Sequence, residues 1–93
     1  MSQRIYKYPL ALTDTQSIVL PEGAEVLHVG MQDDGLMLWA LVDADRTGVH
    51  RTFQVAGTGH SVSLPGGRLV YIGTVLAPLG LVWHVFERVS VEM

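Results

Sequence analysis

Gly57-Thr58-Gly59-His60 is the stretch whose residue types come closest to a ligand-holding loop. Two glycines let successive backbone N–H groups converge on an anion, and a threonine hydroxyl and an imidazole add donors. Arg51 and Arg68 are the cations expected to complete it. Gly57, Thr58, Gly59, His60, Arg51 and Arg68 therefore form the candidate binding set for a nucleotide-like anion. The loop lacks the Lys-Ser/Thr pair and following helix of a phosphate loop, and the longer dinucleotide pattern is missing. A tight glycine-rich connection between strands accounts for the same residues.

His28, His50, His60 and His84 fall on four different elements, and no two of them have the close spacing of a two-ligand metal motif. No metal is assigned. His84 lies between Trp83 and Val85, where a buried neutral imidazole would need a hydrogen-bond partner. Asp43 and Asp45 sit two apart beside Arg46, but a divalent cation needs further oxygen ligands that the sequence does not offer. Ser61 directly follows His60, and strand neighbours point to opposite faces, so they do not form a nucleophile and its base. The catalytic set is empty. A non-enzymatic protein without a cofactor is expected.

The elements that must position these groups read as strands. Apolar residues do not recur at helical spacing over any window of a dozen, and glycines and prolines cut the chain into short pieces. Seven strands are expected, at residues 4–10, 16–20, 25–32, 36–42, 49–55, 68–76 and 81–89. Residues 1–93 then form one all-β domain, a small antiparallel sandwich or barrel. Proline at Pro9 marks the first strand as an edge. In the third strand Leu27, Val29 and Met31 alternate against Val26, His28 and Gly30, and Asp33-Asp34-Gly35 folds it back through its Asp-Gly step. The fourth strand is apolar on both faces, which calls for cover on each side or a partner chain. On the fifth, Arg51 shares the face of Val49, Phe53 and Val55, so it must sit at an end or be paired. On the sixth, Tyr71 and Val75 oppose Val70, Ile72 and Leu76, with Gly73 marking a bulge or a close approach. Thr13-Asp14-Thr15, Pro21-Glu22-Gly23-Ala24, Asp43–Gly48, Pro65-Gly66-Gly67 and Pro78-Leu79-Gly80 supply the turns, and the last residues are expected to fray.

With 93 residues, 48% of them hydrophobic, the chain can hold one core and no separate cofactor domain. Large dehydrogenase, kinase and barrel architectures are excluded by size. A net charge of −3 with only 6 scattered lysines and arginines argues against nucleic acid as a partner. There is no cysteine, hence no disulfide framework or thiolate metal site. Met1-Ser2-Gln3-Arg4 has no apolar run behind it, and no stretch approaches 18 apolar residues, so neither secretion nor a membrane is expected. The aromatic side chains exceed what one small core hides if both faces of residues 36–42 and 81–86 are apolar. Met37, Trp39, Asp43, Asp45, Arg46 and Trp83 are accordingly assigned to an interaction surface, and a homo-oligomer is the simplest way to cover it.

The segments Ile5-Tyr6-Lys7-Tyr8-Pro9-Leu10, Leu38-Trp39-Ala40-Leu41-Val42-Asp43, Arg51-Thr52-Phe53-Gln54-Val55-Ala56-Gly57-Thr58-Gly59-His60, Tyr71-Ile72-Gly73-Thr74-Val75 and Leu81-Val82-Trp83-His84-Val85-Phe86-Glu87 belong together. As a set they resemble a family of small uncharacterised proteins encoded by bacteriophages and prophages. The resemblance runs from Ile5 to Glu87 and implies a viral accessory protein made in the bacterial cytoplasm. It transfers no catalytic residue. Short proteins of that kind often bind and block a host component, so an inhibitor of a bacterial host protein or defence system is the leading expectation. The alternatives are a sponge that sequesters a nucleotide or other small anion, and a structural component of the virion.

Overall fold

A computed structural model describes residues 2–12, 14–62 and 66–90. Seven strands fill it: β1 (Gln3–Leu10), β2 (Thr15–Pro21), β3 (Glu25–Gln32), β4 (Gly35–Asp43), β5 (Gly48–Gly57), β6 (Arg68–Leu76) and β7 (Val82–Val89). They form two antiparallel sheets, ordered β1-β4-β3 and β2-β5-β7-β6. The sheets stack as a sandwich, and the slab is 15 Å thick between its outermost Cα atoms, as two layers about 10 Å apart require.

The core is the set of inward residues of both sheets. Leu36, Leu38, Ala40 and Val42 alternate along β4 and meet Leu20, Phe53, Val55, Val75 and Val85 from the other sheet. β4 is the middle strand of its sheet, as two apolar faces lead one to expect. Its inner face is buried, whereas Met37, Trp39 and Leu41 on the outer face are only half-buried. β1, with Pro9, is an edge.

Two bulges correct the strand faces read from alternation. The register shifts between Val26 and His28, so Val26 joins Val29 and Met31 on the inner face and Leu27 turns outward. A second shift, between Tyr71 and Gly73, places Val75 inward while Tyr71, paired with Phe86, stays outward. Gly73 also permits a close approach, because a Cβ there would lie 2.9 Å from Val29 Cγ2 across the sandwich. The β3–β4 turn is corrected too. Asp33 and Asp34 both take positive φ, 51° and 67°, so the two turn residues precede Gly35 instead of including it. Aspartate tolerates this conformation better than most side chains. Thr13, Pro65 and the chain end 91–93 lie outside the described residues, so the turns and fraying expected there are not placed.

The Asp43–Gly48 corner is exposed beyond Ala44, and its first aspartate holds the chain start. Asp43 Oδ1 accepts hydrogen bonds from the Asp45 N–H at 3.1 Å and the Ser2 N–H at 3.3 Å. These donors, the Asp45 one foremost, keep the Asp43 carboxyl below its ordinary value. A depressed folded value means that the contribution is complete above the ordinary carboxylate range and is lost as pH falls through the folded value. Urea midpoints of the wild type and Asp43→Asn are therefore expected to separate near neutrality and to converge in acid. A constant gap down to pH 2 would contradict the assignment.

Candidate functional site

β5 ends at Gly57, and Gly57-Thr58-Gly59-His60 turns the chain. His60 N–H donates to the Gly57 carbonyl at 3.0 Å, and Gly59 carries φ +89°, the geometry of a type II turn. That turn consumes the His60 N–H. The His60 ring folds back over Gly57, where a Cβ would be 3.0 Å from His60 Nδ1 and 3.4 Å from the Trp83 ring. The missing side chain is what lets both rings close on this point.

On the outer face of the four-stranded sheet, next to the turn, runs a chain of hydroxyls and imidazole. Tyr71 Oη and Thr74 Oγ1 are 2.6 Å apart, Thr74 Oγ1 and His84 Nδ1 3.1 Å, and His84 Nε2 and Thr58 Oγ1 2.8 Å. The partner that the sequence demanded for His84 is thus supplied twice, by Thr58 and Thr74, although the ring is half-buried and not enclosed. Tyr71 also packs edge-on against Phe86, with ring centroids 5.7 Å apart. Two clefts flank the turn. A cleft of about 350 Å³ has Thr58, His60, Leu81, Val82 and Trp83 on its walls. A second, of about 230 Å³, lies against Ala56, Thr58, Val62, His84 and Phe86.

The structure keeps Gly57, Thr58, Gly59 and His60 together and takes both arginines away. Arg51 lies six residues back along β5, about 20 Å by strand rise, on the inner face. Its guanidinium donates to Glu87 through Nε at 2.6 Å and Nη2 at 2.8 Å, and through Nη1 to the Ala24 carbonyl. Arg68 opens β6 opposite Val89, at the far end of the strand from Thr74 and Leu76. The loop has neither arginine beside it, which reduces the candidate binding set to its four loop residues.

The residues assigned to an interaction surface are split among three places. Met37 and Trp39 lie on the outer face of the three-stranded sheet, where the Trp39 ring rests 5.9 Å from His28. Asp43, Asp45 and Arg46 sit at the corner before β5, with Arg46 3.6 Å from Glu22 in an exposed ion pair of little energetic weight. Trp83, opposite Gly57, is a strand length away from that corner. No single partner face contains all six. His50 Nδ1 is 3.2 Å from Ser17 Oγ, and among the described residues no three metal-ligating side chains form a group. Among the described residues no helix is long and apolar enough to cross a membrane.

Sequence reasoning placed the β6–β7 turn at Pro78-Leu79-Gly80 but missed the leucines it displays. Leu76, Leu79 and Leu81 are 77%, 96% and 49% exposed there. Leu79 has φ 66° and ψ 24°, and Gly80 has φ 74°. This is a type I′ turn, which normally takes Asn-Gly or Asp-Gly. Pro78-Leu79-Gly80 announces a turn, but only the coordinates say that the leucine, and not the proline, takes a left-handed conformation. Tyr71 and Thr74 were missed for a similar reason, since the Gly73 bulge brings them to the His84 face.

The model of one protein family, a domain of unknown function (DUF7352), matches residues 1–92. No curated protein and no solved structure matches the chain.

Proposed function

The chain belongs to the DUF7352 family, a domain of unknown function, and we propose that it works without catalysis, by binding another protein through the β6–β7 tip. Leu79 carries this reading. A non-glycine residue held in the left-handed region costs about 1–2 kcal/mol, and Leu79 is 96% exposed, so no packing within the domain offsets that cost. Among the described residues the turn is held by backbone hydrogen bonds alone, from Ala77 N–H to the Leu81 carbonyl at 2.8 Å and from Leu81 N–H to the Pro78 carbonyl at 3.4 Å, and strained residues of this kind cluster at binding sites. Leu76 and Leu81 flank it, making a small apolar prong. Burial of the three against a partner groove, scaled by their exposures, returns of order 4 kcal/mol, about half of what a micromolar complex requires.

The resemblance to phage and prophage proteins directs the search for that partner to a bacterial host protein, with inhibition of host function as the biological outcome. Leu79→Asn separates recognition from folding. Asparagine suits the turn, so the variant is expected to be more stable than the wild type by about 1 kcal/mol in urea while losing its partner. Wild type and variant are each used to capture proteins from bacterial lysate, and any captured protein is then purified and titrated against both. A complex with purified components that the variant weakens tenfold or more supports the proposal. Equal capture by the two, or no protein that rebinds after purification, overturns it.

A further inference from the structure

The 230 Å³ cleft beside the hydroxyl–imidazole chain is a second recognition feature, independent of the leucine prong. Its shape is set by the Phe86 ring, pinned edge-on by Tyr71, and by Val62 and Ala56. Its polar side chains are Thr58 and His84, linked to each other, and His60. No Lys, Arg, Asp or Glu lies on its walls among the described residues.

We propose that this cleft binds an uncharged, planar heteroaromatic compound of nucleobase size, with the ring against Phe86 and its polar edge on the Thr58 hydroxyl. Three observations fix the class. The volume, about 230 Å³, falls below the roughly 300–1,000 Å³ of sites for larger ligands. A phosphate here would meet no Lys or Arg, only the Thr58 hydroxyl and the two imidazoles, and the His60 N–H is already used by the turn, so a charged group gains little over a neutral one. The polar contact is reversible in sense. With His84 protonated on Nε2, the ring donates to Thr58 Oγ1, Thr74 donates to Nδ1, and the Thr58 O–H is free to donate to a ligand carbonyl. With the proton on Nδ1, Thr58 donates to Nε2 and its oxygen accepts from a ligand N–H. An amide-like ring edge, which carries both kinds of group, is matched in either tautomer. Tyr71 and Thr74 act through His84 and are positioning residues.

The test uses the full chain with uracil and adenine as probes, each alongside its nucleoside 5′-monophosphate, followed by amide and aromatic NMR shifts. The bases are expected to shift Ala56–Gly59 and the Phe86 ring, with monophosphates binding no tighter. Thr58→Val is expected to weaken binding about tenfold, the loss of one hydrogen bond of order 1.4 kcal/mol. Thr58→Ser, which keeps the hydroxyl, is expected to restore it. Leu79→Asn is expected to bind the bases as the wild type does, so failure here and failure of the protein-binding reading are distinguishable. Absence of shifts up to the solubility of the bases overturns the proposal. So do tenfold tighter binding of the monophosphates and equal binding by Thr58→Val.

Discussion

Phe53→Ala is expected to lower the unfolding free energy by about 3–5 kcal/mol, the range for truncating a fully buried aromatic ring. Phe53 has no exposed surface. It stands on β5 between Gln16 of β2 and Glu87 of β7, and its ring belongs to the core cluster shared by the two sheets. Removing it leaves a void that flanking strands cannot close without shifting register, and register is fixed by the alternation on both faces. For a domain whose whole stability is about 5–15 kcal/mol, the loss is a large part of the total. A melting temperature lowered by roughly 12–40 °C follows from about 4–8 °C per kcal/mol for a chain of this size. Calorimetry of the variant decides the matter, and a loss below about 1 kcal/mol would mean that the two sheets do not enclose this ring.

Glu87→Ala is expected to cost about 2–4 kcal/mol, somewhat less than removing one partner of a fully buried ion pair. The Arg51 and Glu87 side chains are 21% and 11% exposed, and the guanidinium meets the carboxylate through two nitrogens. Without Glu87, Arg51 keeps only the Ala24 carbonyl and stays on the apolar face of β5. Replacing both, Arg51→Met with Glu87→Leu, is expected to return stability to within about 1 kcal/mol of the wild type, since apolar side chains of similar size avoid desolvating two charges. The double-mutant cycle in urea reads this directly. If Arg51→Met with Glu87→Leu together lose the sum of what each loses alone, the pair carries no coupling and the assignment fails. The hydrogen bonds that Arg51 donates to Glu87 raise it above the ordinary arginine value despite its burial. A raised value contributes below the unfolded value and is lost only as pH climbs through the folded one, so the arginine side of the pair does not titrate in any accessible range.

Strand positions were legible because the signals are local. The segments Glu25–Gln32 and Arg68–Leu76 have the bounds read from their flanking turn residues, and the faces of β5 and β7 follow unbroken alternation. The need for an ionic partner at Arg51 was legible as well, from one charged residue on an apolar face. Its identity was not, since Glu87 is 36 residues away and only the pairing of β5 with β7 brings them together. The Gly57–His60 turn was recognised as a candidate loop. Its charge was misjudged: Arg51 already lay six residues back along the same strand, and that Arg68 stands at the end of β6 away from the loop follows only from the pairing of β6 with β7.

What the sequence determined by itself was an all-β domain of seven strands, since period-two alternation and turn chemistry depend on neighbours within a few residues. What only the tertiary structure decided was the content of the site. Two bulges reset which side chains share a face, sheet order separated Arg68 from the loop, and strand pairing gathered Tyr71, Thr74, His84 and Thr58 into one chain of hydrogen bonds. The left-handed conformation of Leu79 was decided there too. Each of these is a long-range geometric consequence of how two sheets stack and pair, and residue spacing along the chain does not encode it.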